Sequence, residues 1–275
     1  MSTTRALAGS AAAAAAAGVA VAGSHGGILL GGGVPVFATC VALAFVLQWV
    51  AFAPAWWRQT ERWFDLAGSA TFLTLVLGAL AAREVADARS LAIASMVATW
   101  ALRLGMFLFA RIRRQGFDRR FDRIKRDAAR FFLVWTLQGL WVSLTLSCAL
   151  AAMTAATVVP LGWPAAVGIT LWGLGFVVEV AADEQKRRFR AQPANAGRFI
   201  ATGLWALCRH PNYLGEIVLW TGVAVTALPA LEGWRYVTLI SPVFVWLLLT
   251  RISGVPLLEA QADRKWGADP AYLAY

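Results

Sequence analysis

The chain has 275 residues, of which 59% are hydrophobic and only 15% charged, with a mean hydropathy of +0.62 and a net charge of +10. This excludes a soluble globular domain, where about half the residues are apolar and about a quarter charged, and marks an integral membrane protein. The positive charge alone could suggest nucleic acid, but the basic residues fall in short gaps between apolar runs, where membrane topology already accounts for them, so no nucleic-acid partner is expected.

In chain order, residues 1–33 form an Ala- and Gly-rich leader that ends in "GSAAAAAAAGVAVAGSHGGILLGGG". It is weakly apolar and rich in glycine, so a disordered leader, a cleaved targeting segment and a weak extra span all stay open. Residues 34–275 read as one multi-span domain. Seven runs reach or approach the roughly 20 residues needed to cross a bilayer core: 34–53, 64–81, 90–110, 131–153, 163–182, 214–231 and 234–251. The fold class is therefore all-α and polytopic. Alternating sides places 54–63, 111–130, 183–213 and 251 to the end on one face, and these segments hold 20 of the 25 basic residues. The positive-inside rule assigns that face to the cytoplasm. Arg83 and Arg89 fall in a gap on the other side, and Arg235 at a span end there. Fourteen tryptophans suit a chain with many membrane–water interfaces. Cys40, Cys148 and Cys208 show neither a CxxC nor a metal-ligand spacing, so neither disulfides nor a metal site is expected.

Charges within the apolar runs carry the functional signal. Arg103, in "ATWALRLGMFLFAR", lies within a span and requires a partner or a wet cavity; an ion pair that fixes packing and a direct role are equally compatible with it. Asp65, in "WFDLAGSATF", opens the second span, where a carboxylate also suits a helix N-terminus. In "GFVVEVAADEQKRRFR", Glu179, Asp183, Lys186 or Arg187, and Arg190 recur at three- or four-residue steps, so one helix face carries acid in the membrane and base where it emerges. "QPANAG" then breaks the helix. Arg198 and Arg209 bracket a short "GLWAL" element, and "CRHPNYLGE" starts the next span with His210 at the cap and Pro211 in the first turn. The free N–H groups of that turn, with arginines beside them, suit a phosphate. From there Asn212, Glu216 and Trp220 follow at i, i+4 and i+8, a polar face descending into the bilayer.

The blocks "FDLAGSATF", "WALRLGMFLFARI", "GFDRRFDRI", "FFLVWTLQGLWV", "GFVVEVAADEQKRRFR", "GRFIATGLWALCRHPNYLGEIVLW" and "SGVPLLEAQADRKWG" together resemble the DUF1295 family of membrane proteins, relatives of the steroid 5-alpha-reductases and, more distantly, of the sterol C14 reductases. "RHPNY" alone also resembles the isoprenylcysteine carboxyl methyltransferases. The resemblance implies a C-terminal cavity that faces the cytoplasm and holds NADPH. Asp183, Lys186, Arg187, Arg190, Arg198, Arg209, His210, Asn212 and Tyr213 are its implied cofactor residues, and Tyr213, Asp65 and Glu216 its catalytic candidates. Three departures accompany it: Cys208 stands where a serine is usual, Glu179 where the steroid reductases have an asparagine, and a basic, Thr-containing tail would follow the final tyrosine in the family.

The implied activity is NADPH-dependent reduction of a conjugated C=C bond in a lipid-soluble substrate, steroid- or isoprenoid-like. The glutamate and tyrosine that engage the steroid carbonyl in the steroid reductases have no clear counterpart here, so steroid activity is not itself implied. The alternatives are an S-adenosylmethionine-dependent membrane methyltransferase and a non-catalytic lipid-binding protein.

Overall fold

The computed structural model describes residues 2–115 and 121–275, with side chains from residue 9 to 113 and from 121 onward. The "GFDRR" part of the basic gap 111–130 lies outside the described residues. Among the described residues the fold is all helical, with two isolated β-bridges and no strand. Seven helices are long and apolar enough to cross a membrane, which makes this an integral multi-pass membrane protein. The leader forms helix α1 (Ser2–Ser24), whose Ala16 and Val19 join the main core. The spans begin with α2 (Val36–Trp57), α3 (Phe64–Ala81), α4 (Ala88–Gln115), α5 (Ala128–Met153) and α6 (Trp163–Ala191). A four-residue helix α7 (Leu204–Leu207) precedes the sixth span, α8 (Pro211–Ala227).

Two of the expected spans change character. The apolar run of α6 stops near 182, yet the helix continues to Ala191, because Glu184 pairs with Arg187 and Arg188 one turn ahead, both at 2.6 Å. Its 29 residues make a rod of about 44 Å, longer than a hydrocarbon core of about 30 Å. The expected single helix 234–251 is instead a 3₁₀ segment (Gly233–Leu239), helix α9 (Ile240–Leu247) and a π turn (Leu248–Ile252). The π turn closes where Ser253 N–H and Gly254 N–H both donate to Leu248 C=O. A Cβ on Gly254 would lie 2.9 Å from Leu249 Cα and from the Tyr213 ring, so the chain passes close to the head of α8. Helices α10 (Val255–Trp266) and α11 (Pro270–Ala274) then fold back beside α7.

Helix α5 is the central post. From Val142 to Met153 every residue is buried, in a run of mostly small side chains against which α1, α2, α3, α8 and α9 pack. An aromatic knot of Phe72, Trp100, Trp141 and Trp220 joins α3, α4, α5 and α8, with edge-on ring contacts of 5.0–5.1 Å. Exposed tryptophans mark both ends of the bundle: Trp57 and Trp63 at one, Trp163 and Trp234 at the other.

Ion pairs show which loops share an end. Lys125 pairs with Glu61, Arg111 with Asp65, and Arg209 with Glu259, while Arg190 lies within the field of Arg111, so the basic segments gather at one end, as alternation requires. The three arginines of the far end cap helix termini. Arg83 donates to Met153 and Ala155 C=O, Arg235 to Thr154 C=O, and Arg89 to Val159, Pro160 and Thr226 C=O. The last carbonyls of a helix lack backbone partners and carry partial negative charge, so a guanidinium there satisfies several at once.

Candidate functional site

The site is built on the crossing of α6 and α8. Gly168 and Gly175 on α6 meet Gly215 and Gly222 on α8, each pair spaced by seven residues. A Cβ on Gly175 would lie 2.5 Å from Leu219 N, one on Gly215 2.6 Å from Glu179 N, and one on Gly222 2.5 Å from Gly168 O. Only glycine permits this approach, the small-residue contact by which helices pack in lipid. The seam forces the acidic face of α6 against the polar face of α8.

At the basic end of that seam Arg103, from α4, reaches Glu179 at 2.5 Å and Asp183 at 2.6 Å. Asp183 also accepts a hydrogen bond from Asn212 Nδ2 at 3.2 Å, and Glu216 sits within the field of Asp183 and Arg103. The partner that Arg103 required is thus the pair of acids on α6. Glu179 is 2% exposed, and its Oε2 has no hydrogen-bond partner.

Above this cluster lies a cavity of about 410 Å³, within the usual range for ligand sites. Lys186, Arg190, Arg198, Arg209, His210 and Lys265 supply its basic groups, and Phe199, Trp205, Trp266, Tyr272 and Tyr275 its aromatic ones. Gly203, at φ +62°, turns the chain from the "QPANAG" loop into α7. There Leu204 N–H donates to Gln185, and the Trp205 indole donates to Ala182 C=O. Trp205 in turn carries Lys186 over its face at 4.3 Å. His210 is the N-cap residue of α8 and Pro211 its first. The His210 ring stacks on Tyr213 and meets Glu259 at 2.5 Å, while Arg209 pairs with Glu259 at 2.8 Å and lies over Tyr272 and Tyr275. Burial holds the His210 pKa below its ordinary value, although Glu259 pulls the other way.

The expected residues separate into groups. Lys186, Arg190, Arg198, Arg209 and His210 line the cavity, whereas Asp183, Asn212 and Glu216 belong to the cluster beneath it. Tyr213 packs between His210 and Gly254. Arg187 is instead held by Glu184, because one residue beyond Lys186 the helix turns its side chain about 100° away. Asp65 pairs with Arg111 at 3.7 Å. Arg111 lies eight residues beyond Arg103 on α4, about 12 Å along the helix.

Sequence reasoning missed Glu259, Lys265, Trp266, Tyr272 and Tyr275 as site residues. Their segment gives no membrane signal, and only its foldback brings it to the cavity. Tyr275 donates to Trp205 C=O at 2.5 Å and Trp266 to Gly197 C=O at 2.6 Å. The one legible cue was the "PLLEAQADRKW" block itself. A larger hollow, about 1020 Å³, lies at the far end between α1 and the 3₁₀ segment and is almost wholly apolar.

Among curated proteins, the chain is similar to the Delta(14)-sterol reductase LBR of Gallus gallus, 33% identical over 22% of this chain and 12% of that protein. It is also similar to the probable O-methyltransferase ustE of Ustilaginoidea virens, 29% identical over 38% of this chain and 35% of that protein, and to the Delta(14)-sterol reductase TM7SF2 of Mus musculus, 32% identical over 22% and 18%. Each match therefore spans well under two thirds of the relative's own length. No solved structure matches. The family described as "Protein of unknown function (DUF1295)" matches residues 51–275, which takes in the whole α6–α8 site, and the chain belongs to that family.

Proposed function

We propose that the protein is a membrane reductase that uses NADPH to reduce an electron-poor C=C bond in a lipid-soluble substrate. The observation that carries this reading is the pairing of a cation- and aromatic-lined cavity at the basic end with a buried polar cluster directly below it. A ligand bearing several phosphates needs guanidinium and ammonium donors at an aqueous mouth, and Lys186, Arg190, Arg198, Arg209 and Lys265 supply them. The aromatic side chains suit a nucleobase. The nicotinamide group, when bound, would supply the hydride. Asn212 and Glu216 are the candidates to orient its ring, and Tyr213, on the same stretch of α8, is the candidate donor to a developing enolate oxygen. The hydrocarbon part of the substrate would enter from the bilayer, and the basic end would face the cytoplasm. Similarity to the sterol reductases supports this chemistry.

Similarity to an O-methyltransferase supports a second reading, methyl transfer from S-adenosylmethionine. That donor carries no phosphate and would leave the basic mouth without a partner. The decisive measurement is thermal stabilisation of purified protein by each compound, since a ligand that binds only the folded state raises its midpoint by mass action. NADPH is expected to stabilise and S-adenosylmethionine to have no effect; the opposite result overturns the reductase reading.

A further inference from the structure

The return of α10 brings one acid into a cavity otherwise walled by cations. Helical spacing in "PLLEAQADRKW" puts Leu258, Glu259, Ala262, Lys265 and Trp266 on one face, and that face lines the cavity. Glu259 is the single acidic side chain among the described lining residues, against Lys186, Arg190, Arg198, Arg209 and Lys265. Its Oε2 lies 2.8 Å from Arg209 Nη2 and its Oε1 2.5 Å from His210 Nε2. A guanidinium and an imidazole thus share the two oxygens of one anion, as they would share two oxygens of a phosphate.

Neither the guanidinium nor the foldback depends on Glu259 for its place. Arg209 also donates to Tyr272 Oη at 2.5 Å and lies over the rings of Tyr272 and Tyr275, while Tyr272 is itself fixed by donating to Asp263 at 2.9 Å. The foldback is tied separately, by the Trp266 indole on Gly197 C=O and the Tyr275 hydroxyl on Trp205 C=O. The Arg209 and Glu259 side chains are 38% and 27% exposed, so their ion pair is open to water and correspondingly weak.

We infer that Arg209 and His210 form an anion subsite in which Glu259 is the place-holder, and that a phosphate group of the entering ligand displaces the Glu259 carboxylate into water. This rests on the phosphate-bearing ligand of the reading above and adds a built-in competitor to it. A phosphate with more than one negative charge outbids a single carboxylate at the guanidinium. The carboxylate, returning, shortens the stay of the ligand. Trp266 and Tyr275 keep the foldback in place during the exchange.

The test is a calorimetric titration of the purified protein in detergent with inorganic pyrophosphate and, separately, with NADPH; it reads affinity and needs no turnover. Glu259→Gln should bind pyrophosphate more tightly by roughly three- to tenfold and move NADPH in the same direction. Asp122→Asn, which changes the net charge equally at the same end but outside the cavity, should leave both affinities unchanged. Glu259→Asp keeps the charge but is one methylene too short to reach both partners; it should fall between wild type and Glu259→Gln, and it decides the matter if the amide variant does not fold. Unchanged or weaker pyrophosphate binding by Glu259→Gln, equal tightening by Asp122→Asn, or no pyrophosphate binding by any variant overturns the inference. If pyrophosphate follows the expected order and NADPH does not bind, the dinucleotide reading fails and the subsite stands. NADPH binding that is indifferent to Glu259→Gln overturns the subsite and leaves that reading intact.

Discussion

Replacing Arg103 with methionine isolates the energetics of its buried cluster with Glu179 and Asp183, because the change keeps most of the side-chain length and removes only the charge and its hydrogen bonds. Side-chain exposures of 16% for Arg103, 3% for Glu179 and 12% for Asp183 place this pair among buried ion pairs, not among surface pairs worth about 0–1 kcal/mol. Two charge-assisted hydrogen bonds, at 2.5 and 2.6 Å, are lost together, and Glu179 and Asp183 lose their hydrogen-bonded counter-charge in a low-dielectric site. Breaking such a pair by removing one partner costs about 3–5 kcal/mol. The assay is the unfolding midpoint in mixed micelles, followed through tryptophan emission. Adding Glu179→Gln and Asp183→Asn to Arg103→Met should recover most of the loss, since neutral amides no longer need the guanidinium. An Arg103→Met variant that loses less than about 1 kcal/mol, or a triple variant no better than the single one, refutes the reasoning.

Gly175→Val should force α6 and α8 apart, since even a Cβ would sit 2.5 Å from Leu219 N; destabilisation of about 1–3 kcal/mol by the same unfolding assay is expected. Arg198→Ala should weaken NADPH binding by roughly tenfold while leaving the midpoint unchanged, because Arg198 is an exposed cavity residue. Arg235→Leu should lower stability by about 1 kcal/mol, because Thr154 C=O loses its guanidinium donor at the end of α5 but keeps Ile28 N–H. The depressed pKa of His210 means that the unfolded chain binds the proton more readily, so its contribution to stability is present above about pH 6.5 and is lost as the pH falls below that value. His210→Gln should therefore flatten the midpoint-against-pH curve between about pH 7 and pH 5, and an unchanged slope removes His210 from that dependence.

Membrane residence, the positions of most spans and the gathering of basic segments at one end are legible in the sequence, because bilayer thickness fixes a minimum apolar length and topology fixes charge bias. The acid–base face of α6 and the Pro211 start of α8 are legible too, because helical spacing and proline geometry act locally. That Arg103 belongs to Glu179 and Asp183 is not, since 76 and 80 residues separate them and only the glycine seam and the approach of α4 decide the pairing. Nor is the division of Lys186 from Arg187, which depends on what each side chain meets across the cavity. The return of α10 and α11 to the mouth is equally hidden: their short helices carry no apolar signature, and the contacts that hold them, Arg209 with Glu259 and Tyr275 with Trp205, join segments whose proximity exists only after the chain has packed. What local chemistry and bilayer dimensions dictate, the amino-acid order determined alone; which charges meet in the low-dielectric interior was left to tertiary packing, because that energy depends on distances between helices far apart in the chain.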